Sequence, residues 1–167
     1  IEAVFDPAVH LVVWERRDAA ARSRAHAWPG TVGRVMRTVA SQRADAAQVA
    51  QLLGLEAAPA LASDVAMLCD LFETITGATT LGLRVDVTDR ATCPVFHVDR
   101  VTLRLMTTYR GPGTEWLEDG VARQARAGDV LFAKGETWPQ LTAGPCQHRS
   151  PRPRRGETRV LLTVDTL

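Results

Sequence analysis

The sequence is short of the features that mark secreted, membrane-spanning and nucleic-acid-binding proteins. It has three cysteines in 167 residues, and so few, in an odd number, form no disulfide framework. No apolar run approaches the roughly 20 residues that a membrane-spanning helix needs. The formal net charge is +1, so we expect no nucleic-acid or membrane partner. We also recognise no secretory signal, and these absences together predict a cytoplasmic protein.

Lysine and aromatic residues are scarce as well. Lys134 is the only lysine, and aromatic residues make up 5% of the chain. The hydrophobic fraction is nevertheless 46%, which is normal for a globular protein and sufficient for a sizeable core. Because this length suits one core, we expect a single domain over residues 1–167.

The first 78 residues carry mainly helical patterns. The clearest helix runs from Leu61 to Thr76, because an apolar stripe recurs at helical spacing and Gly77 follows as a stop. Weaker patterns predict helices over residues 15–27, 31–41 and 44–53, while residues 9–14 could form a short strand or a docking arm. We interpret residues 1–78 as a helical annex that packs on the outside of the remaining chain.

From residue 79 the apolar period changes from about 3.6 to 2. About eight short apolar segments alternate with turns such as Gly111-Pro112-Gly113 and Gly128-Asp129. This pattern is typical of an all-β sandwich or a small barrel such as a jelly roll. The predicted fold class is therefore mainly β, with a jelly-roll core over residues 79–167.

The functional interpretation depends on the segment 93–99, which reads CPVFHVD. In a strand, side chains two residues apart point the same way, so His97 and Asp99 would share a face. An imidazole and a carboxylate are two of the three ligands of a 2-His-1-carboxylate site. The chain has four histidines, and we choose His148, which follows a second strand-rich stretch, over the two N-terminal ones. We predict one metal site formed by His97, Asp99 and His148.

Five features in this order resemble the double-stranded β-helix, a jelly roll, of iron(II)- and 2-oxoglutarate-dependent oxygenases. They are His97-Val98-Asp99, Gly111-Pro112-Gly113-Thr114, Gly128-Asp129-Val130-Leu131-Phe132, His148 and Gly156-Glu157-Thr158-Arg159. The resemblance covers about residues 80–167. The whole chain is similar to an uncharacterised bacterial domain-of-unknown-function family with CPxFHxD, GPGTxW and HRSP signatures. Members of that family tend to occur beside zinc-homeostasis proteins.

The resemblance implies a hydroxylase-type dioxygenase, an oxidoreductase that binds Fe(II) through His97, Asp99 and His148 and uses 2-oxoglutarate. In such enzymes a basic residue about ten positions after the distal histidine binds the far carboxylate of 2-oxoglutarate, and Arg159 holds this position. A guanidinium can bind a carboxylate through two charge-assisted hydrogen bonds. Tyr109 could donate a further hydrogen bond to the cosubstrate. The residue two after the arginine is often a hydroxyl residue in these enzymes, but here it is Leu161. The resemblance indicates no particular small-molecule or peptide substrate.

Alternatives remain open at this point. Cys93, His97, Cys146 and His148 together offer two thiolates and two imidazoles, which suit tetrahedral Zn(II) in a cupin-like protein of metal homeostasis without oxygenase activity. The chain could also be a β-sandwich interaction module without a metal, and the annex could support a homodimer. Arginines that follow the distal histidine could bind an anionic substrate or simply face solvent; they are Arg149, Arg152, Arg154 and Arg155.

Overall fold

Antiparallel β-strands dominate the computed structural model, which describes residues 1–16, 28, 32–40 and 45–167. The strands are β1 (Leu11–Trp14), β2 (Gly33–Ala40), β3 (Thr80–Thr88), β4 (Leu103–Arg110), β5 (Glu115–Glu118), β6 (Val121–Gln124), β7 (Val130–Lys134), β8 (His148–Arg149) and β9 (Arg159–Thr166). Six form a larger sheet in the order β1-β7-β4-β9-β3-β2, and three form a smaller sheet in the order β6-β5-β8. This arrangement agrees with the predicted jelly-roll-like, mainly β fold.

Two helices follow the predicted positions closely. Helix α1 spans Ala46–Leu53; the side chain of Asp45 accepts a hydrogen bond from Gln48 N at its start. Helix α2 spans Pro59–Thr76 and ends at Gly77, whose φ of 67° is left-handed. An aspartate that caps the first turn, as in α1, and a left-handed glycine at the end, as in both helices, are typical helix boundaries. The predictions of helices over 44–53 and 61–76 are therefore confirmed.

The larger sheet has one apolar face, which packs in the main core together with α1 and α2. The alternation of β3 points Leu83 and Val85 into this core, and Leu105 of β4 and Leu162 of β9 join them there. The opposite face, here called the inner face, carries polar and charged side chains as well as a smaller apolar cluster. That cluster contains Met106, Ala125, Leu131, Ala133, Cys146 and Leu161, with Trp116 packed against it.

Residues 33–40 form a strand, so the predicted helix over 31–41 is wrong. Each residue of β2 from Gly33 to Ala40 is paired with a residue of β3. Val35 and Val39 were the main helical signal, but residues four apart also share one face of a strand. Both valines do pack against the main core, and valine fits a strand better than a helix. The pattern therefore could not distinguish the two structures.

The predicted helical annex over residues 1–78 is not confirmed as a separate unit. Strands β1 and β2 lie in this range, and they pair with β7 and β3 of the core. The N-terminal part of the chain thus completes the larger sheet at both edges. The predicted helix over 15–27, with His26, falls outside the described residues except for Glu15 and Arg16. No described helix is long and apolar enough to cross a membrane.

The segment 93–99 is not the full strand that its sequence predicted. Its one bridge joins His97 to His148, with hydrogen bonds of 3.0 Å in both directions between the two main chains. A further bond of 2.8 Å runs from Ser150 N to Cys93 O. The segment therefore extends the smaller sheet beyond β8 by a single antiparallel pairing, which is enough to bring the two histidines side by side.

Candidate metal centre

His97, Asp99 and His148 lie together at this bridge. One ligand atom from each side chain lies within 4.8 Å of the other two. Asp99 Oδ2 is 3.0 Å from His148 Nε2, and Asp99 Oδ1 is 3.7 Å from His97 Nε2. The two ring centroids are 4.7 Å apart. Among the described residues this is the single group of three histidine, cysteine or acidic side chains that is this close.

Both imidazole rings are oriented by a main-chain carbonyl. His97 Nδ1 lies 3.0 Å from Val95 O, and His148 Nδ1 lies 3.4 Å from Cys146 O. With the proton assigned to Nδ1 because its partner is an acceptor, Nε2 of each ring presents a lone pair towards Asp99. Histidines that bind metals typically have this arrangement, in which the second ring nitrogen donates to a carbonyl or carboxylate.

One carboxylate oxygen of Asp99 contacts an arginine, and the other has no hydrogen-bond partner among the described residues. Its Oδ1 lies 2.6 Å from Arg104 Nη1, whereas its Oδ2 is buried and has no hydrogen-bond partner among the described residues. The 3.0 Å contact of Oδ2 with His148 has the length of an ion pair without hydrogen-bond geometry. Burial alone raises the pKa of Asp99. Without a metal ion, the contact with His148 in its protonated form and the positive charges of Arg104 and His97 outweigh burial and lower the pKa to about 2.

These side chains fit a divalent cation. Two imidazole lone pairs and a carboxylate that face one another repel unless a positive charge lies between them. Ligands bonded to one ion at about 2.1 Å lie about 3 to 4 Å apart, close to the separations of 3.0 and 3.7 Å observed here. Two histidines and one carboxylate suit Fe(II) with open positions, and Zn(II) is also compatible with the set.

The alternative zinc site with two thiolates is not assembled. Neither Cys93 nor Cys146 belongs to the close group. Cys93 is exposed and Cys146 is buried in the inner apolar cluster. Burial, with the nearby charge of Asp99, raises the pKa of Cys146 to about 12, so its thiol stays protonated. Both cysteines instead support the centre through their main-chain carbonyls, which accept from Ser150 N and face His148 Nδ1.

Arg159 is a buried cation without an acidic partner. The side chain is on β9, and the residue is 1% exposed. Its guanidinium donates to Pro112 O at 2.8 Å and to the hydroxyls of Thr114, Thr108 and Ser150 at 2.8, 3.2 and 3.3 Å. Among the described residues no carboxylate lies within ion-pair distance of it. Burial lowers the pKa of Arg159 to about 10, partly opposed by the charge of Asp86.

An unpaired buried charge costs several kcal/mol, so the surroundings of Arg159 favour binding of an anion. Ser150, whose hydroxyl contacts this guanidinium, comes two residues after His148. Thr114 precedes β5, in which Trp116 pairs with His148. Arg159 is therefore linked to the segments on either side of His148 and its strand partner, which position the distal histidine.

Tyr109 is not brought to this centre, so the structure does not support the predicted contact with a cosubstrate. Its hydroxyl donates to Asp64 Oδ2 of α2 at 2.8 Å, and its ring belongs to the main core. The neighbouring Thr108 faces Arg159, and successive residues of a strand face opposite sides. Arg104 is the residue that the sequence analysis missed, although a charged residue in an apolar strand was a visible signal.

Oxygenases are among the solved structures that are similar to this chain. A prolyl-4-hydroxylase from Pseudomonas putida has a TM-score of 0.52 at 17% identity, covering 99% of this chain and 96% of that one. The dioxygenase for auxin oxidation in rice has a TM-score of 0.51 at 18% identity, covering 99% of this chain and 66% of that one. A protein from Caulobacter crescentus that is assigned to the 2OG-Fe(II) oxygenase family has a TM-score of 0.49 at 15% identity, covering 96% and 78%.

Identities this low show the fold alone, and the fold is the one that the sequence motifs resembled. No curated protein is significantly similar in sequence. The family described as "Protein of unknown function (DUF1826)" matches residues 1–165, which is nearly the whole chain. The protein therefore belongs to the DUF1826 family.

Proposed function

We propose that this protein is an Fe(II)- and 2-oxoglutarate-dependent oxygenase of the hydroxylase type. The observation that carries the proposal is the close group of His97, Asp99 and His148, together with the buried cation of Arg159, which contacts Ser150 two residues after His148. When bound, Fe(II), 2-oxoglutarate and dioxygen together supply oxidative decarboxylation of the cosubstrate and hydroxylation of a C–H bond. The remaining roles belong to side chains of this chain.

These three side chains would hold the ion. His97 and His148 would bind through Nε2, and Asp99 through Oδ2, the oxygen that has no hydrogen-bond partner among the described residues. Arg104 keeps Oδ1 occupied at 2.6 Å, so that the carboxylate is fixed in orientation before the ion arrives. Three protein ligands leave positions for other groups, which is typical of catalytic rather than closed structural sites.

Arg159 distinguishes an oxygenase from a simple metal-binding protein. A protein that only stores zinc has no use for a buried cation beside the ion, whereas 2-oxoglutarate brings a second carboxylate that needs one. The guanidinium can bind that carboxylate bidentately, and the hydroxyls of Thr114 and Ser150 can turn to donate to it as well. Burial of Arg159 strengthens the interaction by excluding water.

The test is to add Fe(II) and 2-oxoglutarate to the protein without oxygen and to record the weak visible charge-transfer band of the complex. We expect the band in the parent protein and its loss in Asp99→Ala. Arg159→Met should need at least about tenfold more 2-oxoglutarate, because a charge-assisted bidentate contact is lost. His10→Ala is the matched control, since the observed contact of His10 uses its main-chain oxygen.

Admission of oxygen then tests turnover through succinate formation. A parent protein that shows neither the band nor a rise in Tm with 2-oxoglutarate would contradict the proposal. If Zn(II) or Fe(II) binds through Asp99 and no succinate forms under any condition, the protein is a metal-binding protein without oxygenase activity. Elemental analysis of the purified protein identifies which of the two ions it carries.

A further inference from the structure

A cleft lies on the inner face of the larger sheet, where β2, β3 and β9 run side by side. It has a volume of about 330 Å³, and its lining includes Met36, Thr38, Gly82, Arg84, Asp165 and Leu167. Met36 and Leu167 are 62% and 73% exposed, so the apolar part of the lining is open to solvent. Gly82 leaves the floor without a side chain, apart from the close approach of Leu167.

One row of paired residues connects this cleft to the metal centre. Thr38 pairs with Gly82, Gly82 with Asp165, and Asp165 with Arg104, across four adjacent strands. Because adjacent strands lie about 4.8 Å apart, Gly82 and Arg104 are separated by about 10 Å. Arg104 binds both oxygens of Asp165 at 2.7 Å and also contacts Asp99. A molecule over Gly82 can therefore extend along the row towards the centre.

The cleft carries an excess positive charge beside Gly82. Arg84 lies 3.3 Å from Asp86 Oδ2, and Arg34 binds the other oxygen of the same carboxylate. Two guanidinium groups thus share one carboxylate. Arg84 Nε is buried and has no hydrogen-bond partner among the described residues, while Arg84 Nη2 donates to Thr163 at 3.3 Å. The local excess is one positive charge, which a single carboxylate would neutralise.

Other charged groups at the cleft do not change this balance. The carboxylate of Asp165 is neutralised by Arg104, which binds both of its oxygens. Arg37 also contributes to the lining and keeps its charge, but its side chain alternates with those of Met36 and Thr38 and so lies on the opposite face of β2, where its guanidinium donates to Leu52 O of α1 and to Met36 O. A ligand over Gly82 therefore meets one uncompensated cation at one end and apolar contacts from Met36 and Leu167 beside it.

We propose that this cleft binds the substrate, and that the substrate is an apolar molecule with one carboxylate. Arg84 holds the carboxylate, and the apolar part runs over Gly82 towards Asp165 and the metal centre. This inference rests on the proposed function, because the row of residues gives the bound molecule access to the centre. A monoanion fits better than a phosphate monoester, since a dianion would leave excess negative charge beside Asp86.

Hexanoate, hexan-1-ol and hexyl phosphate are suitable probes, with binding to the full chain measured by calorimetry or saturation-transfer NMR. We expect hexanoate to bind saturably and the other two to bind at least about tenfold more weakly, since each lacks the matching charge. Arg84→Gln should weaken hexanoate binding at least about fivefold without affecting hexan-1-ol. Gly82→Leu should prevent binding of all three probes by filling the cleft.

Two controls separate the cleft from other cationic positions. Arg123→Gln removes an exposed arginine from β6, which pairs with Glu118 in the smaller sheet, and it should leave hexanoate binding unchanged. Arg159→Met should also retain hexanoate binding if the probe occupies the cleft rather than the 2-oxoglutarate position. Equal Tm values establish that each variant is folded before its binding is compared.

The outcomes keep this proposal apart from the oxygenase proposal. Absence of hexanoate binding, equal binding by Arg84→Gln, or tighter binding of hexyl phosphate would overturn the assignment of the cleft. If the charge-transfer band is present and hexanoate binding does not depend on Arg84, the cleft proposal fails alone. If Arg84-dependent binding occurs without any band, the oxygenase proposal fails and the role of the cleft as its substrate site fails with it.

Discussion

Replacement of Gly135 by alanine is expected to disturb the metal centre by displacing the main chain of the loop that carries Asp99. A Cβ atom at this position would lie 2.1 Å from Val101 O and 2.6 Å from Asp99 O. The main chain here is also bonded to the same loop, because Gly135 N donates to Thr102 O and Glu136 N donates to Asp99 O, both at 3.0 Å. Both obstructing atoms belong to the main chain, so no side-chain rotation can relieve the contact.

The expected loss of stability can be worked out from these contacts. Overpacking of this kind costs about 1 to 3 kcal/mol, and each weakened hydrogen bond adds about 1 kcal/mol. Gly135→Ala should therefore lower the free energy of unfolding by about 2 to 5 kcal/mol. Because the loop that moves carries Asp99, metal affinity should also fall, by about 10- to 100-fold as for other residues that support a metal ligand.

Denaturant unfolding and titration with Co(II), an air-stable substitute for Fe(II), measure the two effects. Gly82→Ala is the matched control, since its nearest contact is the flexible end of Leu167 at 3.1 Å. It should change the free energy of unfolding by less than about 1 kcal/mol, because alanine in a strand loses less entropy than glycine. The reasoning is refuted if Gly135→Ala matches this control in both measurements.

Three further results are expected. The pKa of Asp99 falls from 3.8 to about 2 in the folded protein. The metal-free protein should therefore lose about 2 kcal/mol of stability as the pH drops from about 4 to about 2. Denaturant titrations of Asp99→Asn should not show this loss. A thiol reagent should modify Cys93 rapidly, but Cys69 and Cys146 only on unfolding, because both are buried and their pKa values are raised to about 12; mass spectrometry that finds all three modified equally would contradict the assigned burial. Arg159→Met should change the Tm of the ligand-free protein only slightly, because an unpaired buried charge is removed, and should abolish the rise in Tm with 2-oxoglutarate; a retained rise would show that the cosubstrate binds elsewhere.

The sequence was sufficient for the core strands and the helix ends, where local signals agree with the fold. Gly54 and Gly77 have φ values of 68° and 67°, and each lies where the helical pattern stops. Strand β2 was missed because Val35 and Val39 fit both a helix and a strand, and its pairing with β3 decided the outcome. That pairing joins residues 40 to 54 positions apart, which no local pattern shows.

Some residues of the candidate site could likewise be predicted from local sequence, and others could not. The spacing of His97 and Asp99 brought the two side chains together even though the segment forms a loop with a single bridge rather than a strand. The sequence analysis assigned Tyr109 to the cosubstrate. Tyr109 lies four residues after Leu105 in β4, so both side chains lie on the face of the sheet that packs in the main core. The zinc site with two thiolates could not be excluded from the sequence, because only the structure shows that Cys146 lies in an apolar cluster.

The charges of the site explain why Arg159 has no acidic partner in the protein itself. Arg104 and Asp165 neutralise one another through two hydrogen bonds of 2.7 Å, which leaves the charge of Asp99 to offset half of a divalent ion. The excess positive charge of that ion, added to the charge of Arg159, equals the two negative charges of 2-oxoglutarate. A carboxylate built into the protein beside Arg159 would upset this balance and repel the cosubstrate. The buried site is neutral with neither group or with both, whereas the ion alone would leave an excess of two positive charges and the cosubstrate alone an excess of two negative charges. Each should therefore bind more tightly with the other in place, and by linkage the two gains in affinity must be equal.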